Sequence, residues 1–176
     1  MTAQNETPGT QASLEQRLAD AVSSSSEQRV VERCLSLLSG GYEGEDFLRV
    51  VGGHHAEGIL GGAPALYWPE LWGTRALLHV WDDSATPAVV AALGNQAWRV
   101  REMAERVCAE RGVGDTASLA PLLNDDHARV RAGAARALAA VGDDTTKPLL
   151  ERLLQDPDRE VRRAAQQSAK ALAARL

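Results

Sequence analysis

The residues best suited to chemistry are concentrated in one stretch of the chain. His54, His55 and Glu57 stand within four positions, and His79 and Asp82 follow a short distance on. Imidazoles and carboxylates in one neighbourhood are the groups of acid–base catalysis and of metal ligation. A metal site needs three or four ligands in fixed geometry, and one-dimensional spacing does not establish that these converge. The aromatic residues form a second constellation. Tyr67, Trp68, Trp72, Trp81 and Trp98 are five of the seven aromatics and fall within 32 residues. Trp and Tyr are favoured at binding hot spots and in ligand pockets. Trp72 reads as core; Trp68 and Trp98 stay open to either role. The chain holds no nucleophile motif, phosphate-binding loop or dinucleotide fingerprint, so no residue is assigned as catalytic and no cofactor is expected.

The later part of the chain, which must supply the framework for such groups, repeats. Asp125-Asp126-His127-Ala128-Arg129-Val130-Arg131 has counterparts at Asn95 to Arg101 and at Asp156 to Arg162. Val100, Val130 and Val161 lie 30 and 31 residues apart. A fixed period of this length denotes stacked supersecondary units. Val130, Ala134, Ala137, Leu138 and Val141 follow one face of a 3.6-residue period, so each repeat ends in an amphipathic helix. Small residues at Gly133/Ala164 and at Ala104/Ala134/Ala165 allow close helix approach. The first helices of the pairs are expected over 86–93, 116–123 and 146–154, with leucines such as Leu122, Leu123, Leu153 and Leu154 inward. The second are expected at 98–110, 128–141 and 159–174. Asp125 and Asp156 are placed to cap these helices or to reach the arginine of a neighbouring repeat. Arg101, Arg131 and Arg162 then form a structural ladder with Asp125 and Asp156. The surplus arginines are matched by Glu102, Glu105, Asp158 and Glu160 on a solvated face.

The pattern Asp-x-x-x-x-Val-Arg followed by paired alanines, at Asp125 to Ala135 and from Asp156 to Ala165, resembles HEAT repeats. The short period is similar to the compact repeats first described in phycobilin lyases. The motif is clear over 85–174 and looser over 43–84. The resemblance implies an all-α fold, a right-handed α-α superhelix or HEAT-like solenoid with an irregular helical N-terminal cap. It leaves function open, because similar arrays serve as scaffolds, chromophore lyases, DNA glycosylases and metal hydroxylases. The His-Glu pairs of the hydroxylases have no counterpart here.

The remaining chain divides into a disordered tail over 1–13, a helical cap and degenerate repeat over 14–84, and three repeats over 85–176 forming one continuous domain with the cap. Ser13 offers an N-cap with Gln16 three residues on. Ser23 to Ser26 interrupt the first helix, and Gly40-Gly41 end the second. Glu45 to Val51 reads as a short helix and Pro69 to Trp81 as a longer one carrying His79. Between them Gly52 to Gly62 is read as a glycine-rich loop.

Residues 1–68 carry 4 basic and 9 acidic residues, whereas 69–176 carry 15 of each. A neutral repeat array lacks the field that draws phosphates, which argues against nucleic acid. No segment approaches 18 consecutive apolar residues, so no membrane partner is expected. Cys34 and Cys108 have no metal-ligand spacing and read as reduced core thiols of a cytoplasmic protein. The sequence therefore favours a non-enzymatic scaffold for another protein, with His54, His55, Glu57, Tyr67, Trp68, His79, Asp82 and Trp98 as the contact candidates. The alternative is a small enzyme or ligand-binding accessory protein using a pocket of the same residues. DNA binding comes third.

Overall fold

A computed structural model describes residues 11–176; most of the expected N-terminal tail, residues 1–10, lies outside the described residues. The described residues are helical with no strand. They divide into two compact units, up to Ala85 and from Thr86.

The first unit contains α1 (Leu14–Ser24), α2 (Glu27–Leu38), α3 (Glu45–Gly52), α4 (Ala56–Leu60) and α5 (Trp68–Ala76). Ser13 accepts from Gln16 N to start α1, and Ser26 accepts from Arg29 N to start α2. Between them the hydroxyls of Ser23, Ser24 and Ser25 donate back to the carbonyls four residues earlier, which weakens the turn and ends α1. Leu18, Val30, Val31, Cys34, Leu37, Phe47, Leu48 and Val51 form the core. Two glycines set the packing. A Cβ on Gly73 would lie 2.8 Å from the Cys34 carbonyl oxygen, so α5 lies directly on α2. A Cβ on Gly52 would lie 2.6 Å from the Trp72 ring, so Trp72 fills the place of a side chain there and is buried.

Two expectations for this unit are corrected. The glycine-rich stretch is not an open loop: Gly53–His55 is a 3-10 turn and Ala56–Leu60 is α4. The helix expected to run to Trp81 stops at Ala76. Leu77, Leu78 and His79 then bond three residues back to Thr74, Arg75 and Ala76, and His79 is exposed.

The second unit stacks α6 (Thr86–Ala92), α7 (Trp98–Arg111), α8 (Thr116–Leu119), α9 (Ala128–Val141), α10 (Thr146–Leu153) and α11 (Arg159–Arg175). The long second helices pack in sequence, α7 on α9 and α9 on α11. Val100, Val130 and Val161 are all fully buried, as are Ala104, Ala134 and Ala165. α8 is shorter than its repeat position predicts and continues as a 3-10 turn over Ala120–Asn124, where Pro121 removes a backbone donor. Leu154, expected inward, is instead 38% exposed: α10 turns Leu150 and Leu153 into the core, while its counterparts Leu93 and Leu123 are buried.

Asp125 and Asp156 do not cap helices. Their Oδ1 atoms accept from the amides two residues on, His127 N at 2.9 Å and Asp158 N at 2.8 Å, which shapes the turn before the helix. The cap of α11 is Asp158, which accepts from Glu160 N at 2.8 Å and Val161 N at 3.2 Å. Asp158→Ala is expected to cost about 1 kcal/mol, measured by urea denaturation, because two amides of the first turn lose their acceptor.

Both cysteines are fully buried, and burial pushes each thiol up to about 12. Neither thiol is expected to react with a disulfide reagent at pH 8 until the protein is unfolded. Stoichiometric labelling of the native protein at the rate of free cysteine would contradict this.

Candidate functional site

In the second unit, the arginine of each valine–arginine pair holds the turn before its own helix. Arg101, Arg131 and Arg162 donate from Nη1 to the carbonyls of Asn95, Asp125 and Asp156, at 2.8, 2.8 and 2.7 Å. The other edge of the guanidinium reaches forward. Arg101 Nε and Nη2 donate to Asp125 at 2.8 and 3.0 Å, and Arg131 donates to Asp156 at the same distances. The four side chains are only 8–16% exposed. The guanidinium hydrogen bonds hold the Asp156 carboxyl below its usual range, and Asp125, though desolvated, is lowered by its bonds to Arg101 and His127 N. The Arg101–Asp125 and Arg131–Asp156 pairs tie repeat to repeat and neutralise each other, whereas Arg162 of the expected ladder donates, among the described residues, only to the carbonyls of Asp156 and Pro157.

Trp98 lies at the start of α7 and stacks on His127, with ring centroids 5.0 Å apart and planes at 17°. The Arg99 and Arg129 guanidinia lie 4.4 and 5.5 Å from the Trp98 ring centre. Beside α7, α9 and the start of α11 runs an open cleft of about 420 Å³ lined by Glu102, Arg129, Arg136, Asp158 and Glu160. Arg129 pairs with Glu102 at 3.0 Å across it.

Glu105 does not join this charged face. It is fully buried between α7 and α9, and neither carboxyl oxygen has a hydrogen-bond partner. Gly133 makes the room, since a Cβ there would collide with the Glu105 carboxyl. Burial first, then the charges of Glu102 and Asp125, push this carboxyl up to about 9, so it is a neutral acid at pH 7. The glycine at a position held by Met103 and Ala164 in the other repeats is a trace of this site in the sequence.

In the first unit, His54, His55 and Glu57 line one open cavity of about 1050 Å³. Trp68, His79 and Asp82 do not line it, so the wider pocket of six residues is not formed. Asp82 is taken up by the amide and hydroxyl of Ser84, which hold its carboxyl below the usual range. The aromatics form a short row instead: Tyr67 and Trp68 have centroids 5.0 Å apart, and Trp68 and Trp72 6.2 Å. The cavity walls contain three residues that sequence reasoning passed over, Arg17, Arg49 and Arg75. They come from α1, α3 and α5, and nothing in their spacing announces the convergence. Among the described residues no group of three or more His, Cys, Asp or Glu is placed to hold a metal ion.

The second unit is thus a helical-repeat array whose hairpins are clipped by arginine–aspartate pairs. It is a HEAT-repeat array: residues 86–170 match the family described as HEAT repeats. A crystal structure of an engineered protein from a structural genomics consortium is similar, with 18% identity and a TM-score of 0.54. The match covers 99% of this chain and 95% of that one, and carries the fold alone. No curated protein matches. Among the described residues no helix is long and apolar enough to cross a membrane.

Proposed function

We propose that this chain is a non-enzymatic interaction scaffold whose second unit docks a partner polypeptide along α7, α9 and the start of α11. The observation that carries the reading is the mixed-charge cleft beside the Trp98–His127 stack. Arg129, Arg136, Glu102, Asp158 and Glu160 offer both signs within one groove, which suits a polypeptide better than a polyanion. The unit as a whole carries 14 basic and 12 acidic residues, too even a balance to favour duplex DNA. Trp98 supplies the aromatic anchor that interfaces favour. The two buried thiols support a reducing, cytoplasmic setting.

The test is isolation of the tagged protein from its own cells, followed by native mass spectrometry. Wild type is expected to carry a polypeptide in fixed stoichiometry, and the Trp98→Ala/Arg136→Glu variant to lose it while keeping its circular dichroism spectrum. A wild type isolated alone, or a variant that retains the same polypeptide undiminished, would overturn the reading. One specific observation favours a second reading, a ligand-binding accessory protein: the first-unit cavity that brings His54, His55 and Glu57 together.

A further inference from the structure

The first unit is strongly acidic, with 5 basic and 12 acidic residues through Ala85, yet three of those five cations line one cavity. They are not equivalent. Arg49 is neutralised by the wall itself: its Nε pairs with Glu57 at 2.7 Å, and its Nη1 lies 3.5 Å from Glu45 and 3.8 Å from Asp46. Arg17 and Arg75 have no ion pair among the described residues. Each spends part of its donor set on the carbonyl end of α3. Arg17 Nε donates to Val50 O at 2.8 Å, Arg17 Nη1 to Ala12 O, and Arg75 Nη2 to Val51 O at 2.9 Å.

The plain reading of these bonds is that two guanidinia cap a helix C-terminus, where orphan carbonyls and the macrodipole favour cations. That reading accounts for the anchoring and leaves the rest unexplained. One cation suffices at a helix end; here two are pressed together without a carboxylate. Burial first, and then the charge of Arg75, push Arg17 below its usual range, and burial alone does the same to Arg75. Arg75 Nε is buried with no acceptor at all. Gly53, at φ +58°, takes a conformation suited to glycine and lets Arg17 lie against the backbone: a Cβ there would sit 2.9 Å from Arg17 Nη2. His54 and His55 stand at the rim with exposed imidazoles.

We propose that this cavity binds the phosphate group of a small phosphorylated molecule, held between the Arg17 and Arg75 guanidinia with His54 and His55 at the mouth. Two unpaired positive charges match a phosphate monoester dianion, whereas a carboxylate would leave one unbalanced. The cavity, at about 1050 Å³, exceeds what a phosphate occupies and leaves space for the molecule that carries it. Glu57 and Asp46, held on Arg49, line the same wall and supply acceptors for hydroxyl groups of that molecule.

The experiment is calorimetric titration of the full chain at pH 7.5 and fixed ionic strength with phenyl phosphate, inorganic phosphate, acetate and chloride. Saturable one-site binding of the two phosphates, absent for acetate and chloride, is the expected result. Arg75→Lys keeps the charge but loses the fork, and is expected to weaken phenyl phosphate about tenfold or more. A readout that needs no variant is the side-chain Nε–Hε signals of Arg17 and Arg75, which should shift and saturate with the same affinity. Equal binding of acetate, no saturable phosphate heat, unmoved Nε–Hε signals, or unchanged affinity in Arg75→Lys would each overturn the assignment and leave the pair as a helix cap only. The titration requires no protein partner, so its failure and failure of the scaffold reading are separate outcomes.

Discussion

Glu105→Met is expected to stabilise the protein at pH 7 by about 3 kcal/mol and to remove most of its loss of stability toward alkaline pH. The wild-type carboxyl is fully buried with neither oxygen bonded, and its pKa is raised from 4.5 to about 9. In the unfolded chain it ionises near 4.5, so between 4.5 and about 9 the unfolded state binds fewer protons than the folded one. Stability therefore falls as pH rises through that window, by about 1.4 kcal/mol per unit from this group alone. Its contribution is fully present below 4.5 and lost by about 9. Methionine preserves length and volume without a carboxyl to desolvate. Guanidinium denaturation of both proteins from pH 5 to 9 reads the effect directly. Parallel curves for wild type and variant would show that Glu105 is solvated and the α7–α9 contact looser than described.

Arg131→Ala is the substitution expected to destabilise most, by about 3 kcal/mol. It leaves the Asp156 carboxylate, 8% exposed, without its bidentate partner and frees the Asp125 carbonyl from its clip. The pair also acts on the acid side. Asp125 and Asp156 have folded pKa values below the ordinary 3.8, so their contribution is present above that value and lost as pH falls below it. Replacing both partners, as in Arg131→Met/Asp156→Leu, is expected to recover much of the loss, since a buried ion pair costs most when half of it remains. Urea denaturation of the single and double variants decides the matter. A single variant within about 0.5 kcal/mol of wild type would reduce the ladder to an ordinary surface pair.

These two sites differ in how far the sequence exposes them. The ladder is written in it, because Val-Arg recurs at 30 and 31 residues, preceded by Asp125 and Asp156 in the last two units, and a repeated contact leaves a repeated signature. The same holds for the second unit's helices, whose valines and alanines mark a buried face at helical spacing. Glu105 reads instead as one more surface charge among Glu102 and the arginines. Only the tertiary structure shows that a glycine on the next helix opens a notch for it.

The sequence by itself determined the repeat, its period, and the residues that tie one hairpin to the next, because stacking imposes the same local requirement on every unit. It also placed His54, His55 and Glu57 in one neighbourhood, since they are nearly adjacent in the chain. Tertiary structure alone decided that Trp68, His79 and Asp82 stand apart from them, and that Arg17, Arg49 and Arg75 join them. Those arginines come from three helices of the irregular unit, which has no repeat to give them a register. Their convergence is a matter of how α1, α3 and α5 pack, and packing between non-repeating elements leaves no periodic trace along the chain.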